Sequence, residues 1–158
     1  MAVLVMAATI GCDRATKILA SATIADGERR SFLADTVRLQ YVENHGAFLG
    51  LGRQMGERAR FWLLLVATGA LLAIAAAITL RSPARTPGEA LALSLLVGGG
   101  SSNLADRALR DGAVIDFLNV GLGPLRTGIF NVADLAITTG AVVLVAGGWL
   151  ARRAARRP

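Results

Sequence analysis

Long apolar runs separated by short polar segments dominate this sequence. Residues 61–80 and 90–104 contain no charged side chain, residues 131–150 contain only Asp134, and a further run occupies about the first 24 positions. Runs of about 20 apolar residues match the hydrocarbon thickness of a lipid bilayer. We therefore predict an all-α membrane protein, a single polytopic domain with four transmembrane helices at roughly 2–22, 60–80, 89–108 and 131–150.

The positive charges are placed as in a membrane protein rather than as in a nucleic-acid-binding protein. The net charge is +6, and arginines cluster after the second and fourth predicted helices. Four spans put these two regions on one side of the membrane, and the positive-inside rule makes that side cytoplasmic. We predict that both termini are cytoplasmic, that segments 21–60 and 107–129 face outward, that a basic tail at 151–158 contacts anionic membrane lipid, and that there is no nucleic-acid partner. The clustered arginines are Arg81, Arg85, Arg152, Arg153, Arg156 and Arg157.

Residues that form disulfides or bind metals are scarce. Cys12 is the only cysteine and His45 the only histidine of the sequence, which excludes an internal disulfide and a cysteine-based metal cluster. We interpret Cys12 as a small packed residue and His45 as a turn or surface residue. No basic segment precedes the first apolar run, so we expect a retained helix there rather than a cleaved signal peptide. No metal and no cofactor are predicted.

The outward segment from about residue 30 to residue 51 differs from the apolar runs. Apolar and polar side chains alternate imperfectly there, which favours short strands and predicts a small outward-facing β-containing subdomain. Asn44-His45-Gly46-Ala47-Phe48 then indicates a turn followed by an apolar insertion, because glycine adopts backbone conformations that other residues disfavour.

Charged and small residues inside the predicted helices also carry information. Asp13 and Lys17 are four residues apart and share one helix face. They form either a buried ion pair that fixes helix packing or a pair that orients a functional site. In the third helix, Gly98-Gly99-Gly100 permits close approach of a neighbouring helix, and it is not a phosphate loop because no Lys-Ser/Thr pair follows.

A polar face follows at the outer end of the third predicted helix. Its residues are spaced at i, i+3, i+4 and i+7, which places them on one side of a helix. The face is either a solvated helix end or part of a functional site. In a site, we expect Arg107 to act as an anchor that pairs with Asp106, a nearby carbonyl or a lipid headgroup. The four residues are Asn103, Asp106, Arg107 and Arg110.

Two aspartates at the edges of apolar segments are the main candidates for chemistry. A carboxylate at a membrane boundary is costly to keep and is therefore a candidate functional group. Asp116 has Val, Ile and Phe as neighbours, and the link at 111–129 has room to fold back and bring it to Asp134. The alternatives are that Asp116 is a simple loop residue and that Asp134 caps a helix together with Asn131.

Five short motifs follow one another along the chain. They are Asp13-Arg14-Ala15-Thr16-Lys17, Asn44-His45-Gly46-Ala47-Phe48, Asn103-Leu104-Ala105-Asp106-Arg107, Val114-Ile115-Asp116-Phe117 and Phe130-Asn131-Val132-Ala133-Asp134. In order, spacing and placement relative to four helices, this set resembles lipoprotein signal peptidase, or signal peptidase II. The resemblance covers nearly the whole chain; any one motif is weak, whereas five in order are strong.

The resemblance implies a bacterial inner-membrane aspartic endopeptidase with its active site toward the periplasmic or outer face. Such an enzyme cuts the signal peptide from a prolipoprotein, just before a cysteine that carries diacylglycerol, and we expect it to work as a monomer among membrane lipids. The resemblance places the catalytic pair on Asp116 and Asp134. It places residues that line or brace the site at Asn44, Gly46, Asn103, Arg107 and Asn131, with Asp13 and Lys17 as the first-helix motif.

The sequence departs from the family pattern at two positions. The family usually has two alanines before the phenylalanine of the second motif, whereas this chain has Ala47 alone before Phe48. The family usually has glycine before the asparagine of the third motif, where this chain has Ser102. The first departure bears on the loop that covers the substrate and the second on helix approach near the two acids, while neither removes a catalytic group.

Two close carboxylates do not easily both ionise, so they share a proton. The ionised one would take a proton from water, and the protonated one would polarise the scissile carbonyl and help the amine leave. The sequence does not assign these roles, because such a pair titrates as a unit. Two other functions stay open: a non-catalytic or divergent paralogue that binds lipidated membrane helices, and a small proton-coupled transporter, for which no internal repeat is found.

Overall fold

A computed structural model of the chain describes residues 1–25, 27–45, 56–81 and 86–155. Four long helices occupy the apolar runs of these residues, and strands lie between them. The helices are α1 (Ala2–Thr23), α2 (Glu57–Arg81), α3 (Pro87–Leu109) and α4 (Val132–Ala155). The strands are β1 (Arg29–Phe32), β2 (Val37–Asn44), β3 (Val114–Leu122) and β4 (Leu125–Arg126). The predicted features at Gly46, Ala47, Phe48, Arg85, Arg156 and Arg157 lie outside the described residues.

The start of α3 is fixed by local sequence. The Thr86 side chain accepts a hydrogen bond from the Glu89 backbone N–H, and the Glu89 side chain accepts one from the Thr86 backbone N–H. This reciprocal arrangement satisfies two N–H groups at the helix start. Pro87 occupies the first turn, where its missing N–H has no cost and its fixed φ suits a helix.

Helix α3 is central, because it packs against each of the other three helices. Successive residues of a helix point about 100° apart, so three consecutive glycines can face three neighbours. A Cβ on Gly98 would lie 3.0 Å from a threonine of α1, and one on Gly100 would overlap a leucine of α2. A Cβ on Gly99 would lie 2.5 Å from the Ala133 carbonyl oxygen of α4. The glycine run therefore permits the close helix approach that its sequence predicts.

The helical part of the protein is polar inside and apolar outside. The side chains of Asp13 and Lys17 are at most 1% exposed, whereas Leu71 and Val145 are 67% and 73% exposed. Water-soluble proteins show the opposite distribution, because burial favours leucine and valine and penalises charge. Cys12 is exposed on α1, so the prediction of a packed cysteine was wrong: it lies beside, not within, the buried stripe that contains Asp13 and Lys17.

Length and apolarity identify one candidate membrane span among the described residues, Val132–Ala154, while α2 contains a shorter apolar stretch, Phe61–Ala77. The predicted count of four spans is therefore not confirmed by composition. Charged residues within α1 and α3 lower the mean hydropathy of those helices, although several of these residues are buried. The coarser prediction, a mostly helical fold with a small β-containing part, is confirmed.

The described strands form an antiparallel sheet in the order β1-β2-β3-β4. The predicted strand region supplies β1 and β2. Residues 111–129, predicted as a link, instead contribute β3 and β4, so the sheet is larger than predicted. One face of β3 packs against the helices: Ile115 and Phe117 lie with Ala20 and Ile24 of the first helical region in a small buried cluster.

A second pairing brings the start of α4 back to β3. Phe130 pairs with Leu118 in antiparallel orientation, and each backbone N–H donates to the other residue's carbonyl oxygen at 2.8 Å. Phe130 lies two residues before Val132, the first residue of α4, and Leu118 lies two residues after Asp116. This pairing allows acidic residues of β3 and α4 to approach each other.

Candidate active site

Asp116 lies in β3, on the face of the strand opposite to Ile115 and Phe117. It pairs with Val42 of β2, so Asn44 is its diagonal neighbour on the same face of the sheet. Asn44 Nδ2 donates a hydrogen bond to Asp116 Oδ2 at 2.9 Å. Asp116 is buried, so it is not the solvated loop residue that one interpretation of the sequence suggested.

Asp134 lies in the first turn of α4, and Asn131 immediately precedes that helix. Asn131 Oδ1 accepts a hydrogen bond from the Asp134 backbone N–H at 2.8 Å, and Asp134 Oδ2 accepts one from the Asn131 backbone N–H at 3.2 Å. The predicted capping pair is therefore confirmed. Capping uses one carboxylate oxygen, while the other, Oδ1, accepts from Asn103 Nδ2 of α3 at 2.9 Å.

Asn131 connects Asp116 and Asp134. We call these two residues the acid pair. The side-chain Nδ2 of Asn131 donates to Asp116 Oδ1 at 2.8 Å, while its backbone N–H donates to Asp134. Asn131 is fully buried, and two segments hold it, since it precedes α4 and contacts the Ile115 carbonyl of β3 at 3.2 Å. The structure thus brings Asp116 and Asp134 to the two sides of one asparagine.

A second group of acids lies beside the first, and cations hold it. Lys17 Nζ lies 2.7 Å from both Asp13 Oδ2 and Asp106 Oδ2, and Arg14 pairs with the other oxygen of Asp106. We call Asp13, Arg14, Lys17 and Asp106 the ionic cluster. Buried charges are tolerated where each has a partner, and this cluster joins α1 to α3 in that way.

Two contacts link the ionic cluster to the acid pair. Lys17 Nζ donates to Asn103 Oδ1 at 2.8 Å, and Asn103 donates in turn to Asp134. Asp13 Oδ1 accepts from the Ala133 backbone N–H at 2.8 Å, so it caps the start of α4 from another helix. The predicted buried ion pair of Asp13 and Lys17 is present, and the same pair also contacts the residues around the acids.

The polar face of α3 packs into the protein. Asn103 and Asp106 are buried, so the solvated-end interpretation is wrong for both. Asp106 has its cation partners on α1, whereas Asn103 bonds both Lys17 of α1 and Asp134 of α4, and the sequence of α3 alone reveals neither set of partners. Asp106 faces Arg14 and Lys17, and Arg110 lies 4.0 Å from it on its own helix.

One predicted contact of Arg107 was an ion pair with Asp106. The ion pairs found among the described residues do not include it. The Arg107 Nε is buried, and no hydrogen-bond partner for it is found in the described part of the chain. The guanidinium charge interacts with the carboxylates of Asp134, Asp116 and Asp106. Arg107 therefore lies near the acid pair with hydrogen-bonding capacity to spare.

The surroundings of Asp116 favour its protonated form. Burial raises the pKa of the Asp116 carboxyl to about 6 from an ordinary value of 3.8, and the negative charge of Asp134 acts in the same direction. Hydrogen bonds from Asn44 and Asn131, together with the charge of Lys17, lower the pKa but offset only part of the rise. Asp116 can therefore hold or release a proton near neutral pH.

Seven of the predicted site residues belong to one hydrogen-bonded network, and Arg107 lies beside it. Gly46 lies outside the described residues, and His45 is exposed, as predicted. In the described ranges, no group of three or more His, Cys, Asp or Glu residues could hold a metal ion. The seven connected residues are Asp13, Lys17, Asn44, Asn103, Asp116, Asn131 and Asp134.

Sequence reasoning named Arg14 and Ser102 but did not assign either of them a contact that supports the site. Arg14 completes the ionic cluster by pairing with Asp106, and a third charge within an apolar run was a signal that it had a partner. Ser102 Oγ donates to Asp13 Oδ2 at 2.6 Å, across 89 positions of sequence. No local pattern predicts that contact.

Comparison with known proteins gives a consistent family match. The family model of signal peptidase (SPase) II, Peptidase_A8, matches residues 5–150. The lipoprotein signal peptidase of Rhodococcus jostii is 38% identical over 142 residues, which are 86% of this chain and 66% of that protein. That of Mycolicibacterium smegmatis is 37% identical over 147 residues, 90% of this chain and 58% of the relative. The lipoprotein signal peptidase of Syntrophomonas wolfei is 38% identical over 135 residues, which are 84% of this chain and 82% of that protein. This chain thus spans less than two thirds of the first two relatives.

The fold is also similar to solved structures. A bacterial membrane enzyme determined by the in meso method at 2.3 Å superposes with a TM-score of 0.83 at 21% identity, over 99% of this chain and 91% of the other. A second bacterial membrane enzyme, determined by the same method at 1.9 Å, gives a TM-score of 0.77 at 21% identity, over 92% and 90%. At such identity the similarity is one of fold.

Proposed function

This chain belongs to the signal peptidase II family, and we propose that it is a membrane-embedded aspartic endopeptidase. Its substrate would be a prolipoprotein whose future N-terminal cysteine already carries diacylglycerol. It would cut the amide bond just before that cysteine and release the signal peptide. The proposal extends to this chain the activity for which its relatives are named.

The arrangement of the acid pair around Asn131 is the observation that carries this proposal. Asp116 and Asp134 come from different elements, yet hydrogen bonds to one buried asparagine hold both. The side-chain partners of this pair are amides, contributed by Asn44, Asn103 and Asn131. Amides hold a carboxyl in position without requiring that it stay charged, as a pair that shares a proton needs.

The different surroundings of the two acids support different roles. Asp116, with its pKa raised to about 6, is suited to keep a proton and to donate it to the scissile carbonyl oxygen. Asp134 lies at a helix start, where the helix dipole favours negative charge, and it accepts two N–H groups. It is suited to take a proton from the attacking water and to deliver it to the departing amine.

The apolar outer surface of the helices supports a site that receives its substrate from the bilayer. We propose that all four helices cross the bacterial inner membrane, with the sheet on the outer face and the termini in the cytoplasm. The signal helix would lie between the spans, and the diacylglyceryl chains would stay in lipid. Exposed leucine and valine side chains on the helices suit contact with lipid tails.

Arg107 and Asn44 are suited to hold the substrate next to the acids. The buried Arg107 Nε, without a partner among the described residues, could donate to a carbonyl oxygen of the substrate backbone. Asn44 ends β2 and contacts Asp116, so the segment that follows it, with Gly46, would cover the scissile bond. Bound substrate would thereby satisfy the Arg107 donor and exclude water other than the attacking molecule.

Replacing either acid by asparagine tests the catalytic assignment. We expect Asp116→Asn and Asp134→Asn each to reduce cleavage of a lipidated precursor by about 1,000-fold or more, because each removes a proton-transfer group. Asp111→Asn is the matched control: Asp111 lies in the turn before β3 at φ 50°, a conformation that asparagine also tolerates. Near-normal cleavage by either acid variant would rule out the pair. Binding of the precursor by the wild-type protein without turnover would instead favour the non-catalytic alternative.

Reporter fusions test the proposed topology. Fusions after Arg85 and after Arg126 should report opposite sides of the membrane, since α3 lies between them. A reporter that is active only in the cytoplasm should work after Arg85 and fail after Arg126. The same side for both fusions would contradict a membrane-crossing α3 and, with it, the four-span topology.

A further inference from the structure

Ser102 differs from the other buried serine of α3 in the partner of its hydroxyl group. Ser94 and Ser102 are both fully buried and lie about two helical turns apart. Ser94 Oγ donates to the Ala90 carbonyl of its own helix at 2.6 Å, the common arrangement for serine inside a helix. Ser102 Oγ instead donates to Asp13 Oδ2 of α1 at 2.6 Å. Its hydroxyl is therefore committed to a neighbouring helix.

The Asp13 carboxylate uses its two oxygens for different purposes. Oδ2 accepts from Ser102 and lies 2.7 Å from Lys17 Nζ, whereas Oδ1 accepts from the Ala133 backbone N–H at 2.8 Å. The N–H groups of a first helical turn have no partner within their own helix. Asp13 supplies an acceptor for one such N–H group of α4, that of Ala133. Because Ser102 binds Oδ2, the other oxygen, Oδ1, faces this N–H group.

Ala133 is well placed to transmit this orientation to the acid pair. It lies between Asn131 and Asp134, in the first turn of α4. Its N–H is held by Asp13, and its carbonyl oxygen lies against Gly99, where an added Cβ would approach to 2.5 Å. A rotation of the Asp13 carboxylate would release the N–H and let this turn shift, together with the Asp134 side chain.

We propose that Ser102 is a positioning residue for the cleavage reaction, acting through Asp13 and the Ala133 N–H to hold Asp134 in place. The inference rests on the proposed function of the acid pair. Ser102 is fully buried, so its side chain has no surface that a substrate could contact. It should therefore influence the catalytic step rather than substrate binding.

Ser102→Ala and Ser94→Ala form a matched pair for the test. We expect Ser102→Ala to lower kcat for a lipidated precursor about tenfold, because a hydrogen bond to a charged group is lost, with KM unchanged. Ser94→Ala should leave both constants within about twofold of wild type, because its bond stays within one helix. In an Asp13→Asn background, Ser102→Ala should have little further effect on kcat. A change in KM without a change in kcat would overturn the proposal. So would an equal fall of kcat in both serine variants, or a fall of kcat in the Asp13→Asn background as large as in the wild type.

Hydrogen exchange of backbone amides provides a second reading that does not depend on activity. In Ser102→Ala the amides of Ala133 and Asp134 should exchange about tenfold faster than in the wild type, whereas Ser94→Ala should not alter them. Unchanged exchange at both amides would overturn the positioning role. If the wild-type protein cleaves no lipidated precursor, the proposed function fails, and the exchange rates still decide whether Ser102 holds the start of α4.

Discussion

Two groups of acids lie next to each other in this protein, and their partners differ. In the ionic cluster, Asp13 and Asp106 face the cations of Lys17 and Arg14. In the acid pair, the side-chain hydrogen bonds come from Asn44, Asn103 and Asn131. A cation favours the charged form of a carboxylate, whereas an amide holds it more weakly in that form. The same side chain can therefore serve as structure in one place and as a proton carrier in the other.

The two groups also differ in the elements that carry them. The ionic cluster joins the interior faces of α1 and α3, so it depends on regular helix packing. The acid pair depends on a strand and a helix start that meet through the Phe130 pairing. Asn103 and Ala133 connect the groups. A set of paired charges thus supports a neighbouring pair of acids that has no paired cation among its hydrogen-bond partners in the described residues.

Removing the cation shared by the two acids of the ionic cluster should have the largest effect on stability. Lys17→Met would leave Asp13 without its cation and Asp106 with Arg14, and the loss of one partner in a buried pair costs about 3–5 kcal/mol. The free energy of unfolding in detergent measures this loss. Arg152→Met removes an exposed cation near the end of α4 and should stay within about 0.5 kcal/mol of wild type. Similar values for both variants would mean that the ionic cluster has no structural role.

Moving the acid pair away from the ionic cluster should cause the next largest loss of stability. Gly99→Ala would place a Cβ 2.5 Å from the Ala133 carbonyl oxygen and push the start of α4 away from α3. We expect a loss of about 1–3 kcal/mol in the free energy of unfolding, together with reduced cleavage. Gly147→Ala is the control on α4, because a Cβ there meets no atom within 4 Å. It should be neutral or stabilising by up to about 1 kcal/mol.

The pH dependence of stability should distinguish an amide-held acid from a cation-held one. Because the pKa of Asp116 is raised to about 6 from 3.8, its contribution is fully present below pH 3.8 and is lost as pH rises through 6. Relative to Asp116→Asn, which cannot titrate, the wild type should lose about 1 kcal/mol of stability between pH 5 and pH 8. Unfolding of both proteins at several pH values measures the difference. Parallel curves would contradict the raised pKa.

Removing one amide that bonds the acid pair should cause the smallest change, a shift in the pH profile of cleavage. Asn44→Ala removes a hydrogen bond that lowers the pKa of Asp116, so that pKa should rise further. If protonated Asp116 is the acid of the reaction, the fall of kcat/KM above about pH 6 should move to higher pH, with a rate change of about threefold near that pH. Glu43→Gln, on the opposite face of β2, should leave the profile in place. A shift to lower pH would contradict the assigned role of Asp116.

The sequence predicts most of the helical fold because hydrophobic runs of membrane length have few alternative structures. The predicted helices at 60–80 and 131–150 coincide for that reason with α2 and α4, apart from Asn131, which immediately precedes α4. Strand β3 was missed because its partners are distant: Asp116 pairs with Val42, 74 positions away. Strand register of this kind is set by the folded sheet and not by local pattern.

The sequence predicted which residues belong to the candidate site better than it predicted the hydrogen bonds between them. The acids and asparagines were identified from motifs, and their spacing suggested that Asp134 caps a helix. The contacts from Asp13 to Ala133 and to Ser102 join residues 120 and 89 positions apart. Such contacts depend on helix rotation and on the orientation of single carboxylate oxygens, which no periodicity encodes.

The bond between Asp13 and the Ala133 N–H joins the first helix to the last. During synthesis, α1 emerges long before α4, so the Asp13 carboxylate gains this backbone partner only after α2, α3 and the strands have been made. A nascent chain that stops before Val132 lacks both Asp134 and the amide that Asp13 caps. If Asp134 acts as proposed, a chain interrupted before the start of α4 would therefore be unable to cleave any substrate.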